Sequence, residues 1–267
     1  KVSVLQKEKL MNETNPLTEA DLALCRSALY EALALGFRPP NQETANRLLT
    51  DKQNQALAEI AAILDEDNKN PNSLAPCVRK LSKCSDIRGF ESLQNSFRFL
   101  FGHTAHSKVP SYETEYGAET LFQQPQQLSD LSGFFAAFGL TLNSGEHERV
   151  DHISCECEFL AFLTRKEAYA LEKQDARMLA ETRKAQKLFL KDHLGRFTPS
   201  FANLLTREDP NGFYAALGEL CRTFILLECS RFSVPSGPEN LRLRPRMTVD
   251  ECLACGSGES LIKEIAG

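Results

Sequence analysis

The chain has no tryptophan and only three methionines in 267 residues, so any aromatic surface it offers must come from its 17 phenylalanines and five tyrosines. No run approaches the roughly 18 uninterrupted apolar residues that a membrane-spanning helix needs, and stable membrane insertion is not expected. The stretch from Lys1 to Met11 lacks the continuous apolar core of a secretory signal. Met11 precedes a polar Asn-Glu-Thr-Asn-Pro leader and is a candidate native start, and residues 1–17 read as a flexible extension. Positive charge is also short: the net charge is -5 and the sequence pI about 5.7. Non-specific nucleic-acid binding needs a basic stripe, so a basic peptide is the more natural guest.

Catalytic signatures are missing. There is no Gly-x4-Gly-Lys-Ser/Thr phosphate loop, no Gly-x-Gly-x-x-Gly, no Gly-x-Ser-x-Gly and no His-Glu-x-x-His. The expectation is a protein that is not an enzyme and carries no cofactor. Nine cysteines, an odd number spread along a long chain, argue against a disulfide framework and for a reducing compartment, hence a cytoplasmic location.

What is present is helical periodicity. Hydrophobic residues make up 42% and charged residues 25%, ordinary values for a globular protein. Thr18 and Asp21 form a capping-box start for a helix that Pro39 and Pro40 stop. Asn41 can cap a second helix, Ala56 to Leu64 makes a third, and Ser73–Cys84 and Phe90–Phe101 read as two more. Pro125 opens a Phe-rich helix through Phe134, Phe135 and Phe138. A charged helix from Asp175 to His193 is turned by Gly195–Pro199, and a strong helix runs from Asn211 to about Cys229. No strand signal precedes residue 230. The fold expected is all-α, a single-domain bundle of about ten helices over residues 18–230 with an irregular tail, residues 231–267. That tail reads as an extended linker with a basic Arg242-Leu-Arg-Pro-Arg246, then one short capped turn holding Cys252 and Cys255.

Two segments stand out. Pro110-Ser-Tyr-Glu-Thr-Glu-Tyr-Gly117 lies in a long loop without helical period, where two tyrosines interleaved with two glutamates argue for order. Gly145 to Glu167 opens on a loop, places Asp151 where a helix N-cap belongs and His152 in the first turn, and continues as an apolar helix. Residues 146–175 hold eight acids against four bases, which accounts for most of the net charge. Glu156 and Glu167, eleven residues or about three turns apart, project from nearly the same side and draw an acidic line along the helix.

The run Asp151-His-Ile-x-x-Glu-x-Glu-Phe-Leu160 resembles the signature of the redox-enzyme-maturation chaperones of the TorD, DmsD and NarJ type. Leu29-Tyr30 to Pro39-Pro40, Pro110 to Tyr116 and Phe189-Leu-x-x-His193-Leu resemble flanking segments of that family, so the likeness covers about residues 18–230. It implies an all-helical cytoplasmic chaperone. Such a protein binds the twin-arginine leader peptide, or the apo form, of a molybdenum-cofactor oxidoreductase and holds back export or assembly until cofactor is inserted. A monomer or a helix-swapped dimer fits the family. A leader with a basic pair and an apolar stretch asks for carboxylates beside aromatics. Glu113, Glu115, Asp151 and Glu156, with His152, are candidates for the first, and Tyr112, Tyr116, Phe134, Phe135 and Phe138 for the second. The absence of tryptophan leaves that groove to Phe and Tyr.

Plainer roles stay open for each. Asp151 can be only a helix cap, His152 can merely bond the loop above it, the two tyrosines can be core plugs, and Glu156 and Glu158 can lie on a solvated face. The second functional reading is a metal or iron-sulfur handling protein using Cys252 and Cys255. Cys155 and Cys157 join it poorly, because residues i and i+2 of a helix diverge by about 200°.

Overall fold

The computed structural model describes residues 17–68, 73–102, 107–117, 123–143 and 149–244. Among these, the regular elements are all helical, as the periodicity implies. They are α1 (Glu19–Gly36), α2 (Gln42–Leu48), α3 (Asp51–Asn68), α4 (Leu74–Phe101), α5 (Gln123–Ala137), α6 (Ile153–Glu172), α7 (Ala176–Phe189), α8 (Gly195–Glu208) and α9 (Phe213–Arg231). The two helices expected over 73–101 are the arms of α4, divided at Gly89, whose φ of 63° and ψ of 167° are not helical. Local chemistry sets the starts: Thr18 and Asp21 cap each other's backbone at α1, Asn41 accepts from the Thr44 amide at α2, and Asp175 accepts from the Met178 amide at α7.

The expected turn at Gly195–Pro199 does not form. α7 instead runs through a π-helical turn, Leu190–Leu194, directly into α8, with Pro199 inside the helix. Proline has no N–H to give to the carbonyl four residues back. That carbonyl, on Gly195, instead accepts the N–H of Gly237 at 2.9 Å. The docking continues along α8: the Ser200 hydroxyl donates to the Pro238 carbonyl at 2.8 Å and accepts the Leu241 amide at 2.6 Å, and Asn203 donates to the Glu239 carbonyl. A side chain on Gly237 would place its Cβ 1.8 Å from the Arg196 carbonyl oxygen, so only glycine permits this approach. The segment read as an extended linker is therefore extended and fastened, as far as residue 244. The short turn with Cys252 and Cys255 lies outside the described residues, as do residues 1–16 of the N-terminal extension.

α1 lies along α6, α9 packs on α8 and α4, α7 covers α6, and α3 pairs with α4. One continuous apolar core joins them. At its centre sits Arg26, 1% exposed. Its guanidinium donates to Glu228 through Nε and Nη2, to Glu167 through Nη1 at 2.8 Å and to Gln186 at 2.7 Å, while the Tyr30 hydroxyl donates to Glu228. Burial alone would raise the Glu167 pKa, but Arg26, Arg183 and Gln186 outweigh it and hold the carboxylate below its ordinary range. Arg183 reaches Glu167 from the solvent side, so the buried trio of Arg26, Glu167 and Glu228 is balanced by a second, partly exposed cation. Removing one partner of such a set strands buried charge. Arg26→Met is expected to lose about 3–5 kcal/mol of folding stability, read from urea unfolding; a loss under about 1 kcal/mol would show that the network contributes little.

Candidate functional site

The entry to α6 is built one residue away from where the sequence places it. His152, not Asp151, is the N-cap: its Nδ1 accepts the Ser154 amide at 3.2 Å and lies 2.7 Å from the Ser154 hydroxyl. Asp151 is free of the capping role because the preceding loop claims its carboxylate. Thr114 donates to it from its hydroxyl at 2.7 Å and its amide at 3.3 Å, and Arg149 donates at 2.6 and 2.9 Å. The backbone completes the attachment: the Glu113 amide donates to the Asp151 carbonyl, the Ile153 amide donates to the Ser111 carbonyl, and Tyr112 and His152 form an antiparallel bridge. The Arg149 guanidinium lies 4.4 Å over the Tyr112 ring, which meets the His152 ring edge-on. The ordered loop expected at 110–117 is thus sewn to α6, with a 3-10 turn at Glu113–Glu115.

Six of the residues singled out come together here, but mostly out of reach of solvent. Glu113, Tyr116, Asp151, His152 and Glu156 are buried, and Tyr112 is half-buried. Glu113 accepts from Arg196 at 2.7 Å and lies 3.1 Å from His193 Nδ1. Tyr116 is a core plug: its hydroxyl donates to the Pro110 carbonyl and its ring packs on Phe197. Glu156 and Glu167 do share one side of α6, and that side is the interior rather than an acidic edge of a trough. Glu115 is half-buried beside them. Phe134 on α5 and Phe138 just past its end are half-buried at the margin of the cluster: Phe134 against Phe159, Phe189 and His193, Phe138 against Phe159 and Phe162.

Two of the displaced titrations in the cluster set its charge, those of Glu156 and His152. No donor among the described residues reaches either Glu156 oxygen, and the group lies against the Glu113 carboxylate, to which a protonated Glu156 can donate. Burial, together with the Glu113 and Asp151 carboxylates, pushes its pKa well above the ordinary carboxylate value, so the group keeps its proton. His152 goes the other way: burial lowers it to about 4, with Arg38 and Arg149 assisting and Asp151 opposing, so the ring is neutral. A neutral ring with Nδ1 as acceptor is what the cap geometry requires.

The solvent-open feature beside this cluster was not read from the sequence. A cleft of about 350 Å³ has Phe135, Leu140, Leu142, Phe159 and Phe162 on its apolar side and Arg38, Glu158 and Arg165 among its polar lining, with Cys155 between. Arg38 pairs with Glu158 at 2.5 Å and Arg165 with Glu31. Leu142 is 39% exposed. The available signal was the Cys155, Glu158, Phe159, Phe162 repeat on one flank of α6, together with Leu140-Thr-Leu142 just past the glycine that ends α5. Glu158, which is not among the candidate carboxylates chosen on sequence, is the acid that lines the cleft. Among the described residues no group of three or more His, Cys, Asp or Glu is placed to hold a metal ion.

The burial of Glu156 has a pH signature. Its raised pKa means that its contribution to stability is fully present below the unfolded carboxylate value, about 4.3, and is lost as pH rises through the folded value. Glu156→Gln keeps the shape and removes the titration. Its stability relative to the parent should rise between pH 5 and pH 8, by up to about 1.4 kcal/mol per pH unit, in paired urea unfolding curves. The opposite, acid-side loss from His152 is common to both proteins and cancels. A pH-independent difference would mean that Glu156 is ionised in the fold.

Known proteins share this architecture of sequence. The family model described as nitrate reductase delta subunit matches residues 54–203. The chain is 28% identical over 222 residues to the perchlorate reductase assembly chaperone protein of Dechloromonas aromatica, covering 80% of this chain and 93% of that one. It is 26% identical over 170 residues to the chaperone protein TorD of Vibrio cholerae serotype O1, covering 62% and 74%. Over 97 residues it is 36% identical to the selenate reductase assembly chaperone protein of Thauera selenatis, covering 35% and 48%. With more than half of its length matched by the family model, this chain belongs to the nitrate reductase delta subunit family, the TorD- and NarJ-type group that its Asp151-His152 motif resembles.

Proposed function

We propose that this protein is an assembly chaperone for a molybdenum-cofactor reductase. In this reading it binds the twin-arginine leader, or the apo form, of the catalytic subunit in the cytoplasm and delays export or assembly until the cofactor is in place. The observation that carries the reading is a preformed apolar cleft with a charged rim, open to solvent and set against the motif-bearing end of α6. Its relatives are named as assembly chaperones of perchlorate and selenate reductases, which supports a reductase as the client.

The cleft takes the apolar stretch of the leader, with Phe138 at its edge. Tyr112, Glu115, Phe134 and Phe138, all at least partly accessible, are the contacts available from the set chosen on sequence. Glu113, Asp151 and His152 serve the same site from inside, by holding the 111–117 loop on the start of α6, while Tyr116 and Glu156 are buried behind them. No observation favours the metal-handling alternative over this reading. No helix among the described residues is long and apolar enough to cross a membrane.

A synthetic peptide with two adjacent arginines followed by about a dozen apolar residues is expected to bind with micromolar or tighter affinity and to weaken as salt is raised. Leu142→Asp should weaken it about tenfold or more by placing a charge in the cleft. Asp151→Ala combined with His152→Ala should weaken it by releasing the loop. Bound peptide should also slow alkylation of Cys155, read by mass spectrometry. Unchanged affinity in Leu142→Asp and unprotected Cys155 would remove the peptide from this cleft.

A further inference from the structure

The 111–117 loop has two edges. One is closed by α6, through the Glu113 and Ile153 amides. The other is occupied by the chain's own tail: the Gly117 amide donates to the Arg242 carbonyl at 2.8 Å, the Arg244 amide donates to the Glu115 carbonyl at 2.9 Å, and Tyr116 and Leu243 form an antiparallel bridge. The Arg244 guanidinium donates to the Gln127 amide oxygen at 2.9 Å. These are main-chain bonds to an extended segment, which any extended peptide can supply, plus one side-chain contact that asks for a long basic donor.

The fastening of the tail is uneven. Up to Leu241 it is tied to α8 through Gly195, Ser200 and Asn203, and Arg222 pairs with Glu239. Beyond it, Arg242 and Leu243 are exposed, Leu243 by 40%, so little apolar burial holds residues 242–244 in place. An anchored stem thus carries a lightly held arm. Gln127 and Phe134 of α5, with Phe138 just past its end, recur at i, i+7 and i+11, about 16 Å from end to end, and all three are half-buried along the margin of the face that Leu131 and Phe135 bury in the core. An extended segment crosses that distance in about five residues. A peptide with a basic residue at Gln127 that continues along α5 therefore reaches the aromatic end beside the cleft.

We propose that the 115–117 edge is a docking site for an extended basic segment, and that Arg242-Leu-Arg244 occupies it as an internal stand-in which the client displaces. This rests on the chaperone reading for the client's identity and deepens it: the edge and Gln127 take the leader's basic part, and the α5 face leads its apolar part to the cleft. A tethered arm competes at a millimolar-scale effective concentration, and an arm docked in about nine molecules of ten lowers apparent client affinity about tenfold.

The test uses the full chain with Arg244→Pro, which removes both the amide donor and the guanidinium, and Arg244→Ala, which removes only the latter; circular dichroism melting confirms that each is folded. A fluorescent peptide of residues 239–246 should bind Arg244→Pro on the order of tenfold tighter than the parent, with Arg244→Ala between them. Equal binding to parent and variant, or binding to neither, overturns the proposal. Hydrogen exchange then reports the client: with saturating leader peptide, the Arg244 amide of the parent should open while the Gly117 amide stays protected, because one strand replaces another. An Arg244 amide that stays closed while the leader binds shows that the client does not use this edge, which also overturns it. A leader that binds no form of the protein removes the chaperone reading alone, since the 239–246 peptide decides the edge without it.

Discussion

The buried guanidinium of Arg26 dictates how α6 is turned in the bundle. Its bonds to Glu167, Gln186 and Glu228 draw on α6, α7 and α9 at once, from a side chain carried by α1. A buried charge tolerates few alternative arrangements, because each one strands a carboxylate or a guanidinium away from water. Glu167 must therefore face the interior. Eleven residues are about three helical turns, so the phase that satisfies Glu167 carries Glu156 inward as well. The acidic line along α6 is real, and it points at the core.

That phase has consequences at the other end of the helix. Glu156 arrives beside Glu113, whose charge is already matched by Arg196, with His193 adjacent, and a retained proton takes the place of a cation. The π-helical turn at Leu190–Leu194 and the start of α8 bring His193 and Arg196, three residues apart, to the same carboxylate. With its acids turned inward, α6 presents a different flank to solvent. Cys155, Glu158, Phe159 and Phe162 lie about 60 to 160° round the helix from Glu156, and they line the cleft. Scaffold and contact surface are adjacent sides of one helix, which is why the motif and the opening occur together.

The path of the tail follows from a single missing donor. Pro199 leaves the Gly195 carbonyl without its intrahelical partner, the Gly237 amide takes it, and the chain beyond is led over α8 to the loop that α6 holds from the other side. Helix, loop and tail thus form one connected unit, of which α6 also lines the cleft. The closeness required at Gly237 explains a glycine in a stretch that otherwise looks like an unstructured linker.

Much of the architecture was written locally. Capping pairs such as Thr18 with Asp21, the apolar period of α6 and α9, and the irregular Pro110–Gly117 segment each express short-range physics, and they determined the all-α class and most helix starts. Family membership was legible for a related reason, since the Asp151-His152 run and its flanking segments are contiguous in the chain. What the sequence could not decide was orientation. Whether Glu113, Asp151 and Glu156 meet solvent or each other depends on Arg26, Arg149, His193 and Arg196, partners up to 141 residues from the helix they turn. Even the N-cap moved from Asp151 to His152 because a threonine 37 residues away claimed the carboxylate. Sequence set which residues form helices and which carry charge; only tertiary structure decided which charges are neutralised inside and which apolar flank is left open, because those outcomes are settled by partners that the chain brings together from a distance.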